Sequence, residues 1–376
     1  MPYPLIWMKR LRLFFLVGPL SVLAASCGPQ SVHTVVTESE IFTMDRIYKS
    51  MFGPKDRDVL TLLSTDKPEV LWVTAIRAEI VGADGESPES PEYFCHSTFV
   101  NNQSQPFNSQ RILGPTLGRT QMMFTLVQGM AEVRFPEGFG MPVLSNDRFN
   151  NYVMVMNPSE PDEPIQVGVN SRIEYIRDAE LDQRMKPLFL LALVTKVPLE
   201  GQEGDHASHD HGGEHSCLSA DADSTAATSV DRTGQKFLPT SKSESGIEQT
   251  GHWYVPPGRH VYRHRLAPMA GEISYDTRAH YIFAHLHPFG ESLELIDLTT
   301  GKSVFKAIAN NYSDQVAVEK ITHYSSANGI PILRDHDYEI VAVYNNTTGH
   351  DIDSMAVMYL YLHNTDWVIA RPKNDT

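Results

Sequence analysis

Residues 281–302, YIFAHLHPFGESLELIDLTTGK, decide the fold, because a strand, a turn and the start of a second strand are written in one uninterrupted stretch. Side chains at i and i+2 of a strand point to the same face. His285 and His287 therefore present two imidazoles toward a common point, while Ala284 and Leu286 face the other way. With 16 histidines in 376 residues, such a pair arises by chance about 0.7 times per chain. A second one, His209 and His211, does occur. Context has to separate two ligands of one metal from two polar residues that happen to alternate with apolar ones.

The same strand vocabulary extends in both directions. VLWVTAIRAEIVG (70–82), YFCHSTFVNN (93–102), QMMFTLVQGMAEVRF (121–135), RFNNYVMVMN (148–157), SRIEYIRD (171–178) and LFLLALVTKV (188–197) are short and rich in β-branched and aromatic residues. Clusters of Gly, Pro, Asn and Asp, such as GADGESPESPE and NPSEPDEP, turn the chain between them. Residues 201–250 change character, with few apolar side chains and many Ser, Asp, Gly and Thr. Such a composition buries too little surface to offset its ordering entropy. Strands resume with HWYVP, HVYRHRL, YIFAHLH, SLELIDLT, SVFKAIA, YEIVAVYNN and SMAVMYLYLH. Many short strands at regular spacing predict an all-β protein of two tandem antiparallel β-sandwich, jelly-roll-like domains. The expected division is a signal peptide over 1–26, a polar segment over 27–58, a first sandwich over 59–200, a His-rich flexible loop over 201–250 and a second sandwich over 251–370.

The first residues specify a compartment. Lys9, Arg10 and Arg12 precede a short apolar run from Leu13 to Ala25, too brief to span a bilayer comfortably. Ala24-Ala25-Ser26-Cys27 resembles the lipobox of bacterial lipoproteins, which implies cleavage before Cys27 and its lipidation. Gly28 after the cysteine points, by the same resemblance, to the outer membrane of a Gram-negative bacterium. Buried acyl methylenes contribute about 0.8 kcal/mol each, so such an anchor holds firmly. Loss of the leader removes three positive charges and takes the formal charge from −15 to −18. A chain of that charge repels nucleic acid and anionic lipid. In an oxidising compartment Cys95 and Cys217 are expected to form a disulfide, with a free thiol or a thiolate metal ligand as the alternative.

A third ligand is suggested by GHDIDSMAVMYLYLH, where Met355, Val357, Tyr359 and Tyr361 share one face of a strand. A thioether beside two imidazoles favours copper, particularly copper(I), over zinc or a hard cation. Core filling is the ordinary alternative for any methionine.

An H-x-H strand, a turn and a much later D-x-M strand together resemble the copper type II, ascorbate-dependent monooxygenases. That is the family of peptidylglycine α-hydroxylating monooxygenase and dopamine β-monooxygenase. HLHPFGESLELIDLTTGK looks like its H-x-H segment, DSMAVMYLYL like its methionine strand, and HWYVPPGRHVYRHRL like the Pro-Pro-Gly strand opening its second domain. The resemblance covers residues 251–365, and 59–200 more loosely. It implies a copper held by His285, His287 and Met355, with C–H hydroxylation by dioxygen at the expense of a reductant such as ascorbate. The substrate it implies is a small molecule or peptide, and no catalytic residue is implied beyond the ligands.

The first half departs from that pattern. Where the family carries adjacent histidines this chain has Cys95-His96, and the later strand offers Met154 and Met156 but no histidine. A Cys95–Cys217 bridge would carry His206, His209, His211 and His215 close to His96, since bridged Cα atoms lie about 5.5 Å apart. These residues form a possible second metal site; a solvated metal scavenger without fixed geometry is the alternative. Three functions are thus expected in competition: a copper monooxygenase, a copper-binding or buffering lipoprotein of the envelope, and a metal-free protein of the same fold, as in a glycoamidase family.

Overall fold

The computed structural model describes residues 31–48, 50, 53–101, 122–199, 241–243, 245–266, 269, 273 and 275–363. Strands account for nearly all regular structure, and the architecture is all-β and sandwich-like. One large sheet runs in the order His33–Glu38, Ile165–Arg177, Val70–Val81, Phe139–Leu144, Lys186–Val194, Ile352–His363, Thr277–Leu286 and Tyr324–Ile332. A four-stranded sheet contains Lys55–Leu60, Phe149–Val155, Phe94–Asn101 and Met122–Val127. A five-stranded sheet contains Gly258–Arg265, Tyr338–Asn346, Gly290–Asp297, Lys302–Asn311 and Val318–Ile321. Pairings are antiparallel except for a two-residue parallel contact between Lys186–Val194 and Phe139–Leu144.

The four-stranded sheet is pinned to the large one by buried polar contacts. The Ser97 hydroxyl donates to Asn151 at 2.9 Å and lies 3.2 Å from the Ser171 hydroxyl. Each of these groups is buried, so leaving one unpaired would cost about 1–3 kcal/mol.

Two strands organise everything that follows. Thr277–Leu286, the H-x-H strand, pairs antiparallel with Ile352–His363, the methionine strand. Directly opposed residues share a face, so Tyr281 meets Tyr361 and Phe283 meets Tyr359, the latter rings stacked at 4.8 Å. Tyr361 then crosses to the other half of the chain. Its ring lies 4.7 Å from that of Phe135 and its hydroxyl donates to the Met123 carbonyl at 3.1 Å. Ser354 to Leu362 are buried without exception, because this strand sits in the middle of the large sheet and is covered on both faces.

Three sequence expectations need correction. Segment 27–58 is not merely polar: His33–Glu38, Phe42–Met44 and Lys55–Leu60 are strands, and Phe42 and Met44 enter the core. Polar composition concealed them because His33–Glu38 and Lys55–Leu60 end their sheets, where charged side chains reach water. The loop expected over 201–250 ends earlier, since Ser241–Lys242 and Glu248–Thr250 form a ribbon with Val197–Pro198. Finally, Lys186–Val194 pairs with the methionine strand along seven residues, so one sheet and one core run through both halves. The lipidation expected at Cys27 lies outside the described residues.

Several histidines outside the candidate site are packed in the neutral form. His280 stacks on Phe139 at 4.1 Å and lies near His363. Burial holds the His264 imidazole down to about 4, with Lys196 adding to it. Burial, then His280 and Lys186, hold His363 at about 4. An imidazole whose pKa is lower folded than unfolded gains protons on unfolding, so its contribution is complete above the unfolded value and is lost as pH falls. The melting temperature of the metal-free protein should therefore be flat above about pH 7 and fall between about pH 6.5 and 4. Thermal unfolding at stepped pH checks this, and His363→Gln should lessen the slope.

Candidate metal centre

His285 lies near the end of the H-x-H strand and His287 one residue past it, with ring centroids 5.1 Å apart. The register places His285 opposite Val357 and Leu286 opposite Ala356. Carried one residue further, it sets His287 opposite Met355. On its other side the methionine strand pairs with His252–Val255, where His252 is opposite Met355. His252, Met355 and His287 thus stand in a row across three adjacent strands on one face, with the two rings 6.2 Å apart. The register sets the sequence-predicted residues of the second half, His285, His287 and Met355, on one face, and His252 joins that face.

The chain leaves His287 through a tight turn. The Gly290 N–H donates to the His287 carbonyl at 3.1 Å, Pro288 follows His287, and Phe289 has φ 69°. Left-handed backbone costs a non-glycine residue about 1–2 kcal/mol. Phe289 is held there by its N–H to the Asn311 side chain and by its carbonyl, which accepts from Asn345, both at 2.9 Å. At Gly290 a Cβ would lie 3.0 Å from that of Leu286, so the turn closes onto the strand it leaves.

Tyr344 fixes the spacing between the two ligand strands. Its buried hydroxyl accepts from the His287 backbone N–H at 3.2 Å and donates to the Met355 carbonyl at 2.6 Å. Burial pushes that phenol far above its ordinary range, so it remains a hydroxyl. Asp353 sets the ring of His287: Nδ1 lies 3.3 Å from the Asp353 carbonyl and 3.5 Å from its carboxylate. With the proton on Nδ1, the Nε2 lone pair is turned to the far side, where the Ser50 hydroxyl lies at 3.4 Å. Metal-binding histidines are commonly oriented by such a partner.

Neither ring nitrogen of His285 has a hydrogen-bond partner among the described residues, although the side chain is only 6% exposed. Its pKa is held well below the ordinary imidazole value by burial, then by His287, His96 and His252. His96, from the first half, belongs to the same neighbourhood. Burial, then Lys55, His287 and His252, bring it down to about 4. The imidazoles of His96, His252, His285 and His287, from both halves of the chain, therefore adjoin. Among the described residues no three His, Cys, Asp or Glu side chains stand at metal-holding geometry, so the donors are neighbours and not a closed cage.

His206, His209, His211, His215 and Cys217 lie outside the described residues, and with them the second metal site proposed from the loop and the pairing of Cys95 with Cys217. Cys95 itself is buried, its Sγ 3.3 Å from the His96 Nδ1. Other histidines serve structure: His336 pairs with Asp297 at 2.8 Å, His323 stacks on Tyr281, and the His350 carbonyl accepts from Asn346 and Thr348 in a turn. Sequence reasoning missed His252, Ser50 and Tyr344. Nothing in the primary pattern marks them: His252 enters through strand pairing, Tyr344 through its hydroxyl from the five-stranded sheet, and Ser50 from a turn; Asp353 was visible as the first residue of D-x-M.

No family model matches the chain, and no curated protein does. Among solved structures, N-glycanase F (PNGase F) is 8% identical, with 89% of this chain and 96% of that one covered and a TM-score of 0.32. The STIV major capsid protein is 12% identical over 86% and 96%, at 0.28. The major capsid protein P2 of bacteriophage PM2 is 6% identical over 89% and 99%, at 0.30. Scores of this size carry no inference about function.

Replacing Tyr344 by Phe removes the partner of two buried backbone groups with little change in volume. Stability should fall by about 1–3 kcal/mol, read as a lower denaturant midpoint with an unchanged far-ultraviolet spectrum.

Proposed function

We propose that this chain is a copper-dependent oxidoreductase of the monooxygenase type, with His285, His287 and Met355 as the metal ligands. One observation carries this reading: the buried ring of His285, with neither nitrogen hydrogen-bonded among the described residues, shares its face with a second imidazole and a thioether. Such a ring costs about 1–3 kcal/mol unless something takes its lone pair. Two imidazoles and a thioether are a soft-leaning set that suits copper(I). Burial keeps the imidazole of His285 neutral near pH 7, so no proton has to be displaced from its lone pair on binding.

Bound copper would supply one-electron chemistry with dioxygen for C–H hydroxylation, drawing electrons from a small reductant such as ascorbate. The chain's own residues do the rest. Asp353 aims the Nε2 of His287, Tyr344 holds the two ligand strands at fixed spacing, and burial of His285 and Met355 excludes water. Lipidation of Cys27 would hold the protein at the cell envelope. Burial also favours a second reading, copper binding or buffering without turnover, because a substrate needs an open approach that a carrier does not.

Anaerobic titration with copper(I) against a chromophoric competitor, followed by ascorbate-dependent oxygen uptake, tests both readings. Tight binding that weakens at least about tenfold for copper(I), and less for copper(II), in Met355→Ile supports the ligand set. Oxygen uptake abolished by His285→Ala then supports the monooxygenase, and binding without uptake supports buffering. Absence of copper binding by the folded protein overturns both.

A further inference from the structure

The hydroxyl of Tyr344 touches both ligand strands at once, accepting from the His287 N–H at 3.2 Å and donating to the Met355 carbonyl at 2.6 Å. From there a line of rings leads away from the candidate centre. The Trp253 indole lies 6.1 Å from the Tyr344 ring in a T-shaped arrangement, and the Tyr262 ring lies 5.1 Å from Trp253. Centroid separations of this size are those of aromatic pairs in contact. Trp253 follows His252 on the strand that borders Met355, and its side chain is fully buried. Tyr262 sits on Gly258–Arg265, the outer strand of the five-stranded sheet, where it is only partly buried. One hydrogen bond and two ring contacts therefore connect the main chain of the proposed ligands to the surface.

The three side chains differ in what they can release. An indole can give up an electron and keep its N–H proton, whereas a phenol that gives up an electron must also pass its proton to a base or to water. Tyr344 is fully buried and its proton is directed at an amide carbonyl, which is no base. It acts as a bridge and is not itself oxidised. Trp253 needs no outlet for a proton, and Tyr262 has one in the solvent. The other aromatic run, Phe283, Tyr359, Tyr361 and Tyr281, offers neither feature. Val357 separates it from Met355 along the shared face, and its three tyrosines are all buried.

We propose that Tyr344, Trp253 and Tyr262 form a discharge path, through which an oxidising equivalent left at the metal centre in the absence of substrate is quenched by an electron drawn from the surface. The inference rests on the copper reading for its oxidant, while the path itself needs no metal. Trp253 gives one electron inward by way of the Tyr344 bridge. Tyr262 then gives one electron to Trp253 and releases its phenolic proton to water. A surface reductant of the ascorbate type returns one electron and one proton to Tyr262, so the chain is left unchanged. Without such a path the nearest oxidisable group is the thioether of Met355, and a methionine converted to its sulfoxide is lost as a soft ligand.

The test has two arms, each run on the full chain as wild type, Trp253→Phe and Tyr262→Phe. In the first, laser photoionisation of the metal-free protein makes indole radicals directly. A fast phase in which an indole radical decays as a phenoxyl radical appears is expected in the wild type and should be lost in both variants. Its absence from the wild type, or its persistence in Tyr262→Phe, which removes only one hydroxyl from a partly exposed side chain, overturns the path. In the second arm, copper-loaded protein consumes oxygen with ascorbate and no substrate, and oxidised residues are mapped by peptide mass spectrometry. Oxidation should fall on Tyr262 in the wild type and move to Met355 in both variants, with the copper retained after equal oxygen consumption reduced severalfold. Equal damage at Met355 in all three proteins overturns the discharge and leaves the copper site standing. Failure to bind copper overturns the reading above and the discharge with it.

Discussion

The register between Thr277–Leu286 and Ile352–His363 is the constraint on which the rest depends. Because side chains alternate with a period of two, a slip of one residue would send every group on the shared face to the opposite one. Tyr281 against Tyr361 and Phe283 against Tyr359 lock that register, and these rings are fully buried or nearly so. Aromatic pairs of this kind contribute about 0.5–1.5 kcal/mol beyond their buried area. Following the same face toward the end of the strand, the side chains change from aromatic rings to His285, His287 and Met355. The hydrophobic part of the pairing therefore positions its polar end.

Costs accumulate at that end. Phe289 holds a backbone conformation suited to glycine, His285 is buried with both ring nitrogens unsatisfied among the described residues, and the imidazoles of His285 and His96 are held below their ordinary pKa by burial and by neighbouring histidines. Such departures persist only where the surroundings over-determine them, and they concentrate at functional sites. Here Tyr344 and Asp353 fix the ligand strands from below, while Tyr361 ties the same face to Met123 and Phe135 of the first half. The junction of the halves is thus a packed and continuous core, with the histidines gathered along its edge.

Much of this was legible in the sequence, for physical reasons that differ by residue. Strand periodicity alone put His285 and His287 on one face, and Met355 on the same face as Tyr359 and Tyr361. All-β character followed from β-branched and aromatic runs separated by turn residues. What could not be read was partnership between distant strands. His252 looks like any histidine at the start of a strand until pairing sets it opposite Met355. The bulge at Cys95 exists only as a mismatch with Val155 and Met154. The run LFLLALV announces a buried strand but not that its partner is the methionine strand, which joins two expected domains through one sheet. Edge strands such as KDRDVL escape notice because none of their side chains is fully buried in the core.

The most direct measurement is the anomalous difference map, at the copper absorption edge, of crystals grown from copper-loaded protein. A peak within bonding distance of imidazole nitrogens of His285 and His287 and of the Met355 sulfur is the expected result. Copper confined to the segment 206–215, or a map with no peak where those three side chains meet, would contradict the account.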